Sequence, residues 1–200
     1  MISLSFKLDL IILFFMKRLL IFLFALVSFI YSYSQEFVEF KILPDGSITS
    51  TQGKSYAVVS FEGYSAEQLY NIVRSKLYDA FENPSSVLIE KPYNSITVHG
   101  FVNLGKIVVF IVPSAFGGTY HLKFSFKDGK IRVDRPYFYN PLICTDHTLN
   151  NSSMYPSFDD FAKSHFKNGK PKKNYEQIKH IESVFNSFIN YILNLNDDEW

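Results

Sequence analysis

Two segments of the chain place apolar residues at the spacing of an amphipathic helix. The first, "YSAEQLYNIVRSKLYDAFENP", starts with a capping-box pattern of Ser65 and Gln68 and stops at Pro84. The second, "NYEQIKHIESVFNSFINYILNLN", has Asn174 as its expected cap and Gln177 at the third helical position. Both helices are predicted to pack one face on a sheet, with a short coiled-coil seam as the alternative for the second. The residues predicted to be exposed on the first helix are Glu67, Arg74, Lys76 and Glu82.

Other stretches have the shorter apolar runs and the alternation of strands. They predict strands at 36–43, 55–62, 87–91, 95–102 and 106–112, with 44–54 as a turn-rich connector. In 95–102 the apolar residues Ile96 and Val98 alternate with Thr97, His99 and Phe101. This pattern predicts a sheet with one buried face and one wetter face.

A hairpin is predicted in "TYHLKFSFKDGKIRVDR", because Asp-Gly is a favoured pair for a type I′ turn. With Asp128 and Gly129 as the loop, two apolar pairs and one charge pair face each other across the strands. These pairs are Phe126 with Ile131, Phe124 with Val133, and Lys123 with Asp134. Gly117 and Gly118, which follow Pro113, are read as a turn rather than a phosphate-binding loop.

The segment 136–173 has no clear periodicity, apart from a short helix expected in "SFDDFAKSHF" with Ser157 as its cap. A stretch of this length inside a compact domain is often functional. We therefore expect an irregular loop there that contributes to any binding site.

The element order, together with "VVSFEGYSAEQLYNIVRSKLYDAF" and "YHLKFSFKDGKIRV", resembles an exported bacterial family of unknown function with a TATA-box-binding-protein-like (TBP-like) fold, the DUF4468 type. The likeness covers about 55–135 and, more loosely, the last helix. It implies an α+β fold, in which a curved antiparallel sheet of about six to seven strands carries two main helices on one face, one of them C-terminal. The family supplies no catalytic residues, and its fold name does not imply DNA binding. The chain holds one copy of the unit, whereas the DNA-binding saddle is built from two.

The N-terminal segment "MKRLLIFLFALVSFIYSYSQEF" has the three parts of a secretory signal peptide. Lys17 and Arg18 precede the apolar run 19–33, and small serines lie just before Gln35. A retained membrane anchor is the alternative, but a longer span would place both basic residues near its middle, where they are costly. We expect 1–34 to be an overlong start plus signal peptide, with translation starting at Met16, and 35–200 to be a single exported domain.

Composition narrows the possible functions. The full chain has a net charge of +1, and Lys7, Lys17 and Arg18 against Asp9 leave residues 35–200 at −1, so no global charge favours nucleic acid. The single cysteine, Cys144, excludes an internal disulfide and a Cys-rich zinc site. Aromatic residues make up 18% of the chain, which indicates a folded core.

Two groups of residues are candidates for binding a protein or glycan partner. One is the exposed sheet face, and the other is the aromatic loop. Their members are His99, Phe101, His121 and Lys123 on the face, and Tyr137, Phe138, Tyr139, Tyr155 and Phe158 in the loop. His99 and His121 can meet across the sheet, but surface histidines are common without a role, so neither a metal nor a cofactor is expected.

Two alternatives remain. A hydrolase-type enzyme could use Cys144 with His147 in "CTDH", where Asp146 lies between them and His165 or Asp159 could complete a metal site. A basic cluster could instead bind an anionic lipid or glycan surface. Its members are Lys163, Lys167, Lys170, Lys172 and Lys173. Our preferred hypothesis is an exported, non-enzymatic binding or structural module of the cell envelope that binds no nucleic acid.

Overall fold

The computed structural model describes residues 17–18, 37–109, 112–145 and 157–195. The chain divides into two compact units, Met1–Glu36 and Phe37–Trp200. In the first unit Lys17 and Arg18 are helical and exposed, and the rest of the predicted signal segment lies outside the described residues. Over the part that is described, no helix combines the length and the apolar character needed to span a membrane.

The second unit begins with a short antiparallel hairpin, β1 (Phe40–Ile42) and β2 (Ile48–Ser50). Its turn needs a glycine, because Gly46 has a φ of +85° and a Cβ there would lie 2.6 Å from the carbonyl oxygen of Asp159. The prediction of 44–54 as a turn-rich connector was wrong for 48–50, which form β2, whereas turns occupy the residues on either side. A strand of three residues is too short to show an alternating pattern.

The main sheet has six strands, and every pair is antiparallel. They are β3 (Tyr56–Ser60), β4 (Leu88–Lys91), β5 (Ser95–Val109), β6 (Val112–Lys127), β7 (Lys130–Asp134) and β8 (Tyr137–Thr145). The strand order is β3-β7-β6-β5-β4, and β8 pairs with the N-terminal part of β6, on the edge that β7 uses further along. The predicted α+β class with an antiparallel sheet is confirmed.

Helices cover one face of this sheet, which we call the inner face. They are α1 (Ala66–Ala80), α2 (Pro84–Val87), α3 (Phe158–Ser164) and α4 (Glu176–Leu193). Tyr70 of α1 packs edge-on against Phe126 at 5.5 Å between ring centroids, and Phe185 of α4 packs in the same way on Tyr120 at 5.1 Å. The two main helices thus bury their apolar stripes on the sheet as predicted, and α4 is not a coiled-coil seam.

A ladder of side chains joins α4 to the first strand. Successive turns of the helix present Glu182, Asn186 and Asn190 at i, i+4 and i+8 to the backbone of Ile42, Phe40 and Val38. The Ile42 N–H donates to Glu182 at 2.6 Å, whereas the Phe40 and Val38 N–H groups each donate to an asparagine Oδ1 at 2.9 Å. Each asparagine also donates its amide N–H back to the residue that it accepts from, Asn186 to the Phe40 carbonyl oxygen and Asn190 to the Val38 carbonyl oxygen. The helix therefore satisfies a strand edge in the way that a neighbouring strand would.

The segment predicted to be irregular, 136–173, contains regular structure. Residues 137–145 form β8, Ser157 caps α3 as expected, and a small hairpin follows, β9 (Phe166–Lys167) and β10 (Lys170–Pro171). The strand escaped prediction because Pro141 interrupts its alternation. A proline is tolerated there, since β8 pairs on one side only and the register shifts next to Pro141, between Gly118 and Thr119.

The central hairpin is longer than predicted. Residues 95–109 are one strand with an irregularity between Asn103 and Lys106, and Gly117 and Gly118 lie inside β6 rather than in a turn. A Cβ on Gly117 would lie 2.7 Å from the Phe101 ring and 2.8 Å from the Val102 carbonyl oxygen. Close approach of a ring across the strand, not a turn, therefore explains this glycine.

The two helix starts differ from each other. The predicted box at α1 is confirmed, since Gln68 N–H donates to Ser65 Oγ at 3.2 Å and Ser65 N–H donates to Gln68 Oε1 at 2.8 Å. The predicted cap of α4 was wrong, because its N-cap is Tyr175 and makes no side-chain cap bond. The Gln177 amide is instead within 2.7 Å of the buried His165 ring.

One predicted exposure was also wrong. Lys76 is only 7% exposed, because its stem lies between α1 and α4. Its ammonium donates to the Asn194 carbonyl oxygen and lies 5.5 Å from the centre of the Tyr191 ring. A lysine can bury its stem in this way while its charge finds partners.

The predicted hairpin register is confirmed, with Phe126 opposite Ile131 and Phe124 opposite Val133. The turn is not type I′, because φ is positive at Gly129 (+69°) but not at Asp128. The Asp128 carboxylate instead accepts the Ala66 N–H at 2.8 Å, at the first residue of α1.

Candidate functional site

The face of the sheet opposite the helices is the strongest candidate for a functional surface, and we call it the outer face. On the inner face, Ile96 and Val98 of β5 and Leu122 and Phe124 of β6 are fully buried. The alternation of a strand therefore directs His99, Phe101, His121 and Lys123 outward. Phe101 and Tyr137 are each 60% exposed and Ile89 is 55% exposed, so in the described part of the chain this face is open to solvent.

Two histidines lie at the centre of the outer face. His99 and His121 are direct partners across β5 and β6, and their ring centroids are 3.7 Å apart with the planes tilted by 59°. Burial, and then the proximity of His99, lower the pKa of His121 below its ordinary value of 6.5. The expected meeting of the two histidines is thus found.

Two tyrosines of β8 extend this cluster. The Tyr139 hydroxyl lies 2.6 Å from Nε2 of His121, and the two rings meet edge to face at 4.5 Å. Tyr137 is the direct strand partner of His121 and stacks on Tyr139 at 6.2 Å. These tyrosines were predicted to lie in a loop, but they belong to β8, beside the histidines.

Phe101 continues the aromatic surface at the other side. Its ring lies over the backbone of Gly117, where no side chain blocks it. Gly117 thus allows a large apolar ring to lie close to the sheet while most of it remains in contact with water.

The charges on the outer face are mostly basic. Alternation places Lys91, Lys123, Lys127, Lys130 and Arg132 there, and within the described sheet Asp134 is the only acidic residue at such a position. Asp134 binds Arg132 at 2.7 Å, and the Arg132 guanidinium lies 4.2 Å from the centre of the Tyr56 ring. The predicted charge pair of Lys123 with Asp134 is thus replaced by a pair along one strand. Arg132 was not among the predicted site residues, although the predicted hairpin register already placed it opposite Ser125.

Two of the aromatic candidates belong to the core instead. Phe138 and Phe158 are 7% and 3% exposed and stack on each other at 4.2 Å with nearly parallel planes. Phe138 also meets Phe185 edge-on at 4.7 Å. These contacts attach α3 to the inner face, so neither ring is available to a partner. The remaining aromatic candidate of the predicted loop, Tyr155, lies outside the described residues.

The basic cluster lies on a different part of the molecule. Lys163 is on α3, and the other lysines are on or just after the β9–β10 hairpin, all of them exposed. Since α3 packs on the inner face, Lys163 and the histidines of the outer face are on opposite sides of the sheet. The ammonium of Lys172 donates to the Ser164 carbonyl oxygen at 2.6 Å.

Only part of the enzyme hypothesis falls on residues that the structure describes. Cys144 lies on β8 opposite Ala115, and Asp146 and His147 lie outside the described residues. The ring nitrogens of His165 are used inside the fold, by the Phe161 carbonyl oxygen at 2.9 Å and by Gln177. Among described residues, no group of three or more His, Cys, Asp or Glu side chains could hold a metal ion.

A second polar cluster on the inner side was not foreseen. Glu90 of β4 accepts hydrogen bonds from Tyr70, from Arg74 at 2.6 Å and from Tyr78 at 3.0 Å. Burial acts to raise the pKa of Glu90, but these three donors outweigh it and hold the pKa below its usual range. Burial, together with the bond to Glu90, raises the pKa of Tyr70 to about 12. Every group is satisfied, so the cluster fastens α1 to the sheet edge.

Comparison with known proteins gives likeness at the level of structure. No family model matches the chain, and no curated protein matches its sequence. A DUF4468 family protein from Bacteroides ovatus ATCC 8483 is similar over 69% of this chain and 81% of its own, at 9% identity and a TM-score of 0.46. A TBP-like protein from Parabacteroides distasonis ATCC 8503 is similar over 70% of this chain and 91% of its own, at 10% identity and a TM-score of 0.43. At these values neither structure supplies a function.

Proposed function

We infer that the protein is an exported, non-enzymatic binding module of the cell envelope, and that its outer face binds an anionic polysaccharide. One observation carries the proposal. Exposed rings and an excess of basic side chains share one open sheet face.

The chemistry of the face fits such a ligand. Flat aromatic rings such as Phe101 and Tyr137 offer apolar area with little conformational freedom to lose, which suits the apolar faces of sugar rings. Lys123 and Lys130 attract the acidic groups of the polymer, and Asp134 adds no free negative charge because Arg132 pairs with it. Exposed apolar patches framed by polar residues commonly mark interaction sites.

Two observations favour this proposal over its alternatives. A metal site completed by His165 is disfavoured, because both ring nitrogens of His165 already lie within hydrogen-bond distance of partners inside the fold. The basic hairpin has lysines but lacks an exposed aromatic platform, since Phe161 is buried and Phe166 packs on Tyr175 at 5.3 Å.

Heparin serves as the anionic probe and dextran as the neutral one. We expect the purified protein to bind heparin and not dextran, and to release heparin at about 1 M salt, where the Debye length falls to about 3 Å. The variant Lys123→Ala/Lys130→Ala/Arg132→Ala should lose about tenfold in affinity, the loss expected when three modest surface charge contacts are removed together. Calorimetric titration measures the choice between heparin and dextran, the effect of salt, and the affinity of the variant.

The charge-matched control is Lys163→Ala/Lys167→Ala/Lys170→Ala on the other side of the sheet, which should bind heparin as the wild type does. Loss of binding in this control but not in the outer-face variant would overturn the proposal and favour the basic hairpin. Binding to phosphatidylglycerol vesicles without binding to heparin would identify a lipid surface and would also contradict it.

A further inference from the structure

We propose that His99 and His121 form a two-imidazole binding site for a divalent transition metal such as Cu²⁺ or Zn²⁺ on the outer face. This inference does not depend on the polysaccharide. It depends on the placement of two imidazole ligands by the sheet, together with a partner that orients one of them.

The sheet places both rings side by side on one face. His99 and His121 are direct cross-strand partners, so their Cβ atoms project from neighbouring positions of the same face. A metal with nitrogen ligands at about 2.0–2.1 Å needs the two donor nitrogens roughly 3 Å apart. Rings whose centroids are 3.7 Å apart are close enough for this, and rotation of the His99 side chain can bring its nitrogen to a metal held by His121.

The ligand type also selects the metal. Neutral imidazole suits zinc, copper and nickel, whereas calcium and magnesium prefer oxygen. Within the described residues no third His, Cys, Asp or Glu joins the pair, so water completes the coordination sphere. Such a site is open, and its metal is accessible to an incoming ligand.

Tyr139 supplies the outer contact that metal-bound histidines usually have. Its hydroxyl is 2.6 Å from Nε2 of His121, so an Nε2–H can donate to the phenol oxygen and leave Nδ1 of His121 for the metal. The phenol ring also packs on the imidazole at 4.5 Å, which limits its rotation. Tyr139 is thus a positioning residue, and the fixed ring lowers the entropy lost on binding.

The nearby positive charge of Lys123 opposes metal binding only weakly. Lys123 lies two residues along β6 on the same face and is exposed, so water screens its charge. The neighbouring Thr97 and Thr119 are small and polar and leave room for bound water. Removal of the lysine charge should therefore strengthen metal binding slightly.

The test uses Cu²⁺ alone, with calorimetric titration for affinity and electron paramagnetic resonance for the number of bound nitrogens. We expect one Cu²⁺ per chain with two imidazole nitrogens. His99→Gln and His121→Gln should each lose one nitrogen and at least about tenfold in affinity, and Tyr139→Phe should lose about tenfold while keeping both nitrogens. The glutamine variants keep a polar side chain at an outward position, and an unchanged melting temperature verifies that they fold.

His180 provides the matched control, because it is an exposed histidine on α4. His180→Gln should bind Cu²⁺ as the wild type does. Failure of the wild type to bind, or equal binding by the wild type and the His99→Gln/His121→Gln double variant, would overturn the proposal. A loss of affinity in His180→Gln of the same size as in His99→Gln would show unspecific surface binding and would contradict it as well.

Discussion

The environment of Glu182 differs from what its place in the sequence suggests. It is one of the polar positions between the apolar stripes of α4, yet the fold half-buries it and directs it at the Ile42 N–H. Burial raises the pKa of this carboxyl above its ordinary value of 4.5, and the hydrogen bond from Ile42 opposes that change only in part. The charged form is therefore less favourable in the folded chain than in the unfolded one.

This makes Glu182 a source of pH-dependent stability. Because its folded pKa is raised, its contribution is fully present below about pH 4.5 and is lost as pH rises through the folded pKa. Glu182→Gln keeps an oxygen acceptor for Ile42 and removes the charge. We expect the variant to be at least as stable as the wild type at pH 7, with this gain absent near pH 4, as measured by urea unfolding at both pH values.

Glu176→Gln is the control for this change, because Glu176 is an exposed carboxylate on the same helix. Its unfolding free energy should follow that of the wild type across the range. A Glu182→Gln variant that is less stable at pH 7 would show that the charge itself holds the strand.

Between elements, the β6–β7 turn and α1 support each other. The Asp128 carboxylate accepts the Ala66 N–H, and the Gly129 N–H donates to the Tyr64 carbonyl oxygen at 2.8 Å. A hydrogen-bond acceptor and a negative charge at a helix start are both favourable. The turn thus adds to the capping box of Ser65 and Gln68.

Removal of this carboxylate should weaken the contact between the elements. We expect Asp128→Ala to destabilise the protein by about 0.5–2 kcal/mol, the usual cost of losing a side-chain cap. Asp128→Asn retains the oxygen acceptor and should cost less, and it is the matched variant. Urea unfolding measures both, and equal stability of Asp128→Ala and the wild type would show that the contact contributes nothing.

Local patterns in the sequence predicted the elements whose determinants lie within a few residues. The Ser65 box, the apolar stripe of α4 and the register around Gly129 all belong to this kind. Lys76 and β8 were mispredicted, because the burial of Lys76 depends on a distant helix and β8 depends on an edge of β6. The two histidines were placed on one face by alternation alone. The contact between His121 and Tyr139 could not be predicted, because it depends on where β8 pairs in the sheet, and no local pattern encodes that.

At the scale of the whole molecule, the proposed export can be tested directly. If 1–34 is an overlong start with a signal peptide, the mature protein begins at or near Gln35. We expect mass spectrometry of protein from the native host to find this N-terminus, and no peptide from 1–15. The physical reason is that only a short apolar run follows Lys17 and Arg18, which suits cleavage rather than anchoring.

A charged residue placed inside the apolar run, compared with one placed beyond the predicted cleavage point, tests the signal peptide further. Leu23→Arg should block export and leave an uncleaved precursor in the cell, because arginine is costly in the insertion helix. Leu43→Arg, beyond the predicted cleavage point, should leave the N-terminus of the exported product unchanged. Recovery of the full chain from the membrane fraction with its N-terminal peptides intact would contradict the prediction.

The side-chain ladder on α4 determines when the start of the domain can fold. Its hydrogen bonds join residues that are 140, 146 and 152 positions apart, so the first strand finds these partners only after the last helix exists. Contacts of such sequence separation form slowly, because the chain loses the entropy of closing a long loop before any hydrogen bond offsets that loss. In a chain that emerges from a ribosome or a translocation channel N-terminus first, residues 38–42 therefore lack these partners until the last helix has emerged. Any factor that binds newly made chains has its longest opportunity at this strand.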